Sequence, residues 1–200
     1  MKVRKNEGFT LVEVVVVIAV VAILAAILAP SIVKHIDDSK IAKAKSETQV
    51  LGAAITSFYK DVGQWPTAIP AAVTPIDLLA TQVGGLPTVP GGAGFADWAG
   101  DPAADADADY LEAHMLSNTP KGGAYPAVGE VAWKGPYQNI FSADPWGNAY
   151  LVNIVDMSAA PAEAVWVISA GPNGTMDTDA NQVLTAPPVI EGDDIGFRIR

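Results

Sequence analysis

Residues Phe9–Ala29 form an almost unbroken apolar run, interrupted by one charge at Glu13 and followed by Pro30. As a helix rising about 1.5 Å per residue, the run is long enough to cross the roughly 30 Å hydrocarbon core of a bilayer. A carboxylate in that setting costs roughly 2.5–3.5 kcal/mol, which marks Glu13 as a functional residue in need of a partner. Lys2, Arg4 and Lys5 precede the run. Basic residues before a first apolar segment hold that end in the cytoplasm, so the bulk of the chain is expected outside it. A secretory signal peptide fits poorly. The run exceeds the roughly 7–15 apolar residues of such a segment, and no small-x-small site ends it before Pro30. An ordinary signal anchor satisfies the hydropathy but leaves Glu13 unexplained.

Beyond Pro30 the pattern stays helical. Ile32, Val33, Ile36, Ile41, Ala44, Thr48, Leu51, Ile55 and Phe58 recur at three- and four-residue steps, a stripe on one face. Lys34, Asp37, Asp38, Lys40, Lys43, Lys45 and Glu47 occupy the other face. The spacing predicts one long helix from about Phe9 to Lys60, its second half laid on a globular head. Pro30 is expected to kink or locally melt it, and Gly52 to weaken it by about 1 kcal/mol. Gly63 is a natural C-cap, and Pro66 forbids much continuation.

Residues 68–132 are rich in Ala, Gly and Pro, with only short apolar clusters. Pro75–Val83 is expected to form a short helix, and Tyr110–Leu116 one or two helical turns. Asp105, Asp107 and Asp109 imitate the first three ligands of an EF-hand loop, but Tyr110 falls where glycine is required and Leu116 where the bidentate Glu belongs. That stretch reads better as a solvated acidic loop or as charge at a helix N-terminus. Asp144-Pro145-Trp146-Gly147-Asn148 has turn chemistry: Pro145 presets φ, Gly147 tolerates positive φ, and Asp144 and Asn148 bond nearby backbone. Tyr150–Val155 and Ala164–Ser169 are β-branched and aromatic, two strands expected to pair as an antiparallel hairpin. A last strand is expected over Ile195–Ile199. The fold class that follows is α+β: a long helix packed on a small antiparallel sheet.

Composition narrows the function. The net charge of −10 argues against a nucleic-acid partner. The chain has no cysteine, so no disulfide pins its loops and no thiol serves as nucleophile. His35 and His114 are isolated in sequence and are expected at the surface or an interface. Asp144 has no nucleophilic or basic companion, and no catalytic arrangement or phosphate loop is found, so no enzyme is expected.

The segment Lys5-Asn6-Glu7-Gly8-Phe9-Thr10-Leu11-Val12-Glu13 resembles the N-terminus of type IV pilins and type II secretion pseudopilins. The resemblance implies cleavage between Gly8 and Phe9 by a prepilin peptidase and N-methylation of Phe9. It implies that Glu13 of one subunit pairs with the Phe9 ammonium of a neighbour during assembly; pairing within one helix, about a turn apart, is equally compatible with the spacing. Pro30 stands where the family commonly carries its helix proline. The Asp144–Tyr150 phrase resembles the signature of major pseudopilins, as does Phe58–Thr67. The loop Ser169–Thr178, with Gly192-Asp193-Asp194, looks like the calcium loop of the same proteins. Asp177, Asp193 and Asp194 are the side chains the resemblance assigns to Ca²⁺, with carbonyls near Ile168–Gly171 beside them and Asp179 and Glu191 in reserve. An acidic solvated loop is the alternative.

The implied organisation is a leader at 1–8, a transmembrane and filament-core helix at 9–33 and a pilin head at 34–200, with 68–132 as a surface-variable insert. The implied protein is the major pseudopilin of a type II secretion system, polymerising through its helix to promote protein export; the alternative is a surface type IV pilin. The implied partners are further copies of the chain, the prepilin peptidase, the inner-membrane assembly platform, minor pseudopilins and membrane lipid. The implied location is the inner membrane with the head outside the cytoplasm, then a periplasmic or cell-surface filament.

Overall fold

The computed structural model of the chain describes residues 8–66, 76–154, 164–182, 187 and 189–199. The chain divides into two units, Met1–Lys40 and Ile41–Arg200. Helix α1, Leu11–Val62, contributes to both. Among the described residues it is the one helix long and apolar enough to cross a membrane.

In the first unit every described residue from Gly8 to Ser39 is exposed, apolar side chains included. Of the two outcomes expected at Pro30, a kink or local melting, the melting does not occur. Proline deletes one amide donor, and the turns on both sides stay helical. The stripe read from the sequence becomes buried only from Ala44 onward; Ile32, Val33, Ile36 and Ile41 remain exposed.

In the second unit α1 buries Ala44, Thr48, Leu51, Gly52, Ala54, Ile55, Phe58 and Val62, positions that share one helical face. The helix ends where expected. Gly63 takes φ +72° and its N–H bonds the Tyr59 carbonyl at 2.9 Å, an αL cap. Trp65 then stacks on Tyr59 with ring centroids 4.1 Å apart.

The remaining elements are β1 (Leu78–Ala80), a 3₁₀ turn (Ala93–Trp98), β2 (Ala108–Tyr110), α2 (Leu111–Met115), β3 (Leu151–Asn153), β4 (Trp166–Ser169) and β5 (Ile195–Arg198). The strands form one sheet in the order β2-β1-β3-β4-β5. The sheet is mixed rather than antiparallel, because β1 and β2 run parallel. The expected hairpin is present as β3 against β4, and β5 adds antiparallel to β4. Val155, expected at the end of the first of these strands, lies outside the described residues.

Two stretches of the chain are also read differently in the structure. The stretch Pro75–Val83, expected as a short helix, holds strand β1; Pro75 itself lies outside the described residues. A run this short cannot declare its period, and pairing to strands on both sides decides it. The segment 68–132 is also more than a surface insert. It supplies β1, β2 and α2, and its Leu78, Leu79, Trp98, Leu111 and Met115 are fully buried.

Both sheet faces are covered, so the strands alternate between two cores. Leu79, Val152 and Val167 face the α1 side with Leu51, Ile55 and Phe58. Leu78, Leu151, Trp166 and Ile168 pack with Trp98 and Met176 on the other. Gly52 has a packing reason: a Cβ there would lie 2.6 Å from the Phe197 ring, so the missing side chain admits β5 against the helix.

Candidate functional site: an N-terminal carboxylate and an acidic pocket

At the start of α1 the backbone amide and hydroxyl of Thr10 both donate to Glu13 Oε2 at 2.8 Å, and the Glu13 N–H returns a bond to Thr10 Oγ1 at 3.3 Å. This reciprocal pair is a capping box, which satisfies amide groups that the first helical turn otherwise leaves unpaired. The Thr-x-x-Glu spacing was visible in the sequence, and Thr10 is a partner that the reading of Glu13 alone missed. Gly8 has open space where a Cβ would stand, and Phe9 is 89% exposed. Among the described residues nothing crowds Gly8, and the acid is held one turn along from it.

The second site is built by sheet register. Ser169, the last residue of β4, pairs with Ile195, the first of β5. The loop leaving β4 and the loop entering β5 must therefore meet. Asp177 comes from the first, Asp193 and Asp194 from the second, and one carboxylate oxygen of each lies within 4.8 Å of the others. Among the described residues this is the one group of three or more acidic, His or Cys side chains so arranged. Of the reserves, Asp179 instead packs against Gly94 and accepts the Asn181 N–H at 2.8 Å. Glu191 is exposed, and its N–H bonds the Thr178 hydroxyl at 3.1 Å.

Each carboxylate is fixed through one oxygen. Asp194 Oδ2 accepts the N–H groups of Asp177 and Thr178 at 2.9 and 2.7 Å. Asp193 Oδ2 accepts the Asn173 N–H at 3.0 Å, and Asp177 Oδ2 the Asn173 side-chain amide at 3.1 Å. Oδ1 of Asp193 and of Asp194 is buried with no hydrogen-bond partner. Asp194 is only 7% exposed. Its burial pushes its carboxyl up to about 6, the neighbouring Asp177 charge adds to the rise, and the Thr178 and Asp177 donors oppose it. Gly192 takes φ +60°, and any Cβ there would collide with the Asp177 carboxylate. Converging carboxylates with orphaned oxygens are the donor set a hard cation takes.

The first acidic stretch behaves otherwise. Asp105 and Asp107 are exposed, while Asp109 is buried in β2. Asp109 accepts the N–H groups of Tyr110 and Lys121 at 2.7 Å each, and its Oδ2 lies 3.2 Å from His114 Nε2. His114 is not a surface residue as expected: it is 0% exposed, and its Nδ1 lies 2.6 Å from the Tyr125 hydroxyl. Burial lowers the His114 pKa, with Asp109 opposing. Burial pushes Asp109 the other way, but His114 and the two N–H donors outweigh it and hold the carboxyl below its ordinary value. His35 is exposed, as expected.

Comparison with known sequences matches residues 3–29 to the family described as the prokaryotic N-terminal methylation motif. The type II secretion system core protein G of Pseudomonas aeruginosa is 26% identical over 182 residues, 90% of this chain and 96% of that protein. The protein of the same name from Escherichia coli K12 is 27% identical over 88% of both chains. The type IV major pilin PilA of Myxococcus xanthus is 40% identical, but over 57 residues, 28% of this chain and 26% of the pilin. No solved structure matches. The N-terminal methylation motif and relatives that span most of its length make the chain similar to type II secretion core protein G and, through its N-terminal part, to type IV pilins.

Proposed function

We propose that this chain is a filament subunit, the major pseudopilin of a type II secretion system. The observation that carries the reading is the reach of the similarity. Core protein G relatives align over about nine-tenths of the chain, whereas the pilin PilA aligns over 28% of it. In this reading 1–8 is a leader and 9–33 spans the inner membrane before packing in the filament. Residues 34–200 form the head outside the cytoplasm. Prepilin peptidase cuts between Gly8 and Phe9, and Phe9 is N-methylated. The new amine frees Glu13 to exchange its bond with Thr10 for an ion pair with Phe9 of a neighbouring copy. Opposite charges attract far more strongly at low dielectric than in water, so the pair sets the register of the growing rod. The assembly platform and minor pseudopilins are the partners this role requires, and lipid covers the helix beforehand.

Asp177, Asp193 and Asp194 hold one Ca²⁺ in this reading. A bound cation supplies the opposing charge that three gathered carboxylates need. It also ties the loop after β4 to the loop before β5 in a chain without cysteines.

The experiment is mass spectrometry of the chain from its native membrane together with imaging of Glu13→Ala cells. The expected mature chain begins at N-methylated Phe9, and Glu13→Ala is trimmed normally but yields no filaments. A native chain that still begins at Met1, or wild-type filament numbers from Glu13→Ala, would refute the assembly role.

A further inference from the structure

The turn beginning at Asp144 lies well before the acidic pocket in sequence, yet its carboxylate is committed to that pocket's support. Asp144 is only 4% exposed. Its Oδ2 accepts the Ser169 hydroxyl at 2.6 Å. Its Oδ1 accepts the N–H groups of Trp146 at 2.9 Å and Asn148 at 2.8 Å. From these contacts two arms run to opposite ends of one turn, Gly171–Gly174.

The first arm continues through Ser169, whose Oγ accepts the Gly171 N–H at 3.2 Å. Gly171 takes φ +62°, and a Cβ on it would strike the backbone carbonyl of Asp193. The second arm continues through Asn148. Its side chain stands next to Gly174, close enough that a Cβ added there would be in van der Waals contact with the Asn148 amide, 3.5 Å away. Between the two ends sits Asn173, which donates its N–H to Asp193 and its side-chain amide to Asp177.

We infer that Asp144 is a positioning residue for the cation: it touches no ion, but braces both ends of the turn that aims Asp177 and Asp193. This rests on the reading of Asp177, Asp193 and Asp194 as a cation site. The chemistry requires a carboxylate. The Ser169 hydroxyl spends its proton on Asp144 and its lone pair on Gly171. An amide NH₂ in place of Oδ2 would donate to Ser169 Oγ, compete with the Gly171 N–H and leave the hydroxyl proton without an acceptor in a buried site. Groups that orient metal ligands without touching the metal typically change its affinity by roughly 10- to 100-fold when altered.

The test is calorimetric titration of the full-length chain in detergent with CaCl₂, for wild type, Asp144→Asn and Ser169→Ala, with melting followed in excess EGTA. The expected result is a Kd weakened about tenfold or more in Asp144→Asn, and weakened by a smaller factor in Ser169→Ala, which cuts only the first arm. Melting in EGTA should differ between wild type and variants by less than melting in Ca²⁺. An unchanged Kd with equal losses of Tm in Ca²⁺ and in EGTA would make Asp144 a folding residue only and overturn the inference. Should Asp144→Asn fail to fold, Ser169→Ala decides, and wild-type affinity in that variant overturns it. If wild type itself takes up no Ca²⁺, the cation reading fails and the positioning role falls with it, an outcome distinct from a variant that binds like wild type.

Discussion

Two acidic regions of the second unit, similar in composition, arrive at opposite electrostatic states. Asp105, Asp107 and Asp109 are evenly spaced in sequence, and the fold disperses them: two stay in solvent while Asp109 is buried beside His114 and two backbone amides. Asp177, Asp193 and Asp194 are far less regular in sequence, and the fold gathers them. In the first region the protein provides the compensation itself, and Asp109 sits below its ordinary pKa. In the second, compensation is incomplete, two oxygens are orphaned, and Asp194 is pushed up to about 6. A run of acids at regular spacing therefore says little about a cation. What counts is whether the groups around each carboxylate use up its lone pairs.

The largest effect should come from breaking the closed network. His114→Ala leaves a buried carboxylate without its nearest ring partner and the Tyr125 hydroxyl without Nδ1. Leaving a buried polar group without a partner costs roughly 1–3 kcal/mol, more for a charged one, and the cavity left by the ring adds to it. Urea unfolding of the full-length chain in detergent should show that loss equally in Ca²⁺ and in EGTA. A loss that depends on Ca²⁺ would mean the two regions are not independent.

A smaller effect should come from emptying the open one. A ligand at 100 times its Kd stabilises the state that binds it by about 2.7 kcal/mol. EGTA should lower the Tm of the full-length chain, and CaCl₂ should restore it. Asp177→Ala should melt alike in both, whereas Asp105→Ala should keep the wild-type response. A wild-type melt unmoved by EGTA would remove the difference between the two regions.

Much of this is legible in the sequence. The long helix, its cap at Gly63, the β3–β4 hairpin, β5 and the three gathered aspartates all follow from periodicity, turn chemistry or resemblance. The parts that escaped share a cause, which is that their signal is not local. β1 is three residues long and takes its conformation from β2 and β3. His114 looked isolated because Asp109 and Tyr125 reach it only once α2 has folded back on β2 and the loop after it. Gly52 reads as a defect in the helix until Phe197 of β5 is laid across it. Asp144 reads as turn chemistry alone, since nothing in the sequence ties it to Ser169.

The subtlest contrast is one of sign with pH. Asp194 has a folded pKa of about 6, above its ordinary value, so in EGTA the fold favours its protonated form. Its contribution is fully present below the ordinary carboxylate range and is lost as pH rises through about 6. Asp109 is shifted downward. Its contribution is present above the ordinary carboxylate pKa and is lost as pH falls through its depressed value. Melting of wild type, Asp194→Asn and Asp109→Asn in EGTA, followed from pH 3 upward, separates the two. The stability difference between wild type and Asp194→Asn should move against wild type as pH rises toward about 6, and that between wild type and Asp109→Asn should move in its favour. Saturating Ca²⁺ should reverse the first slope, because the cation holds Asp194 ionised in the fold while the unfolded chain still protonates it at low pH, and leave the second untouched. Slopes of the same sign in EGTA would mean that the open and closed regions are electrostatically alike after all.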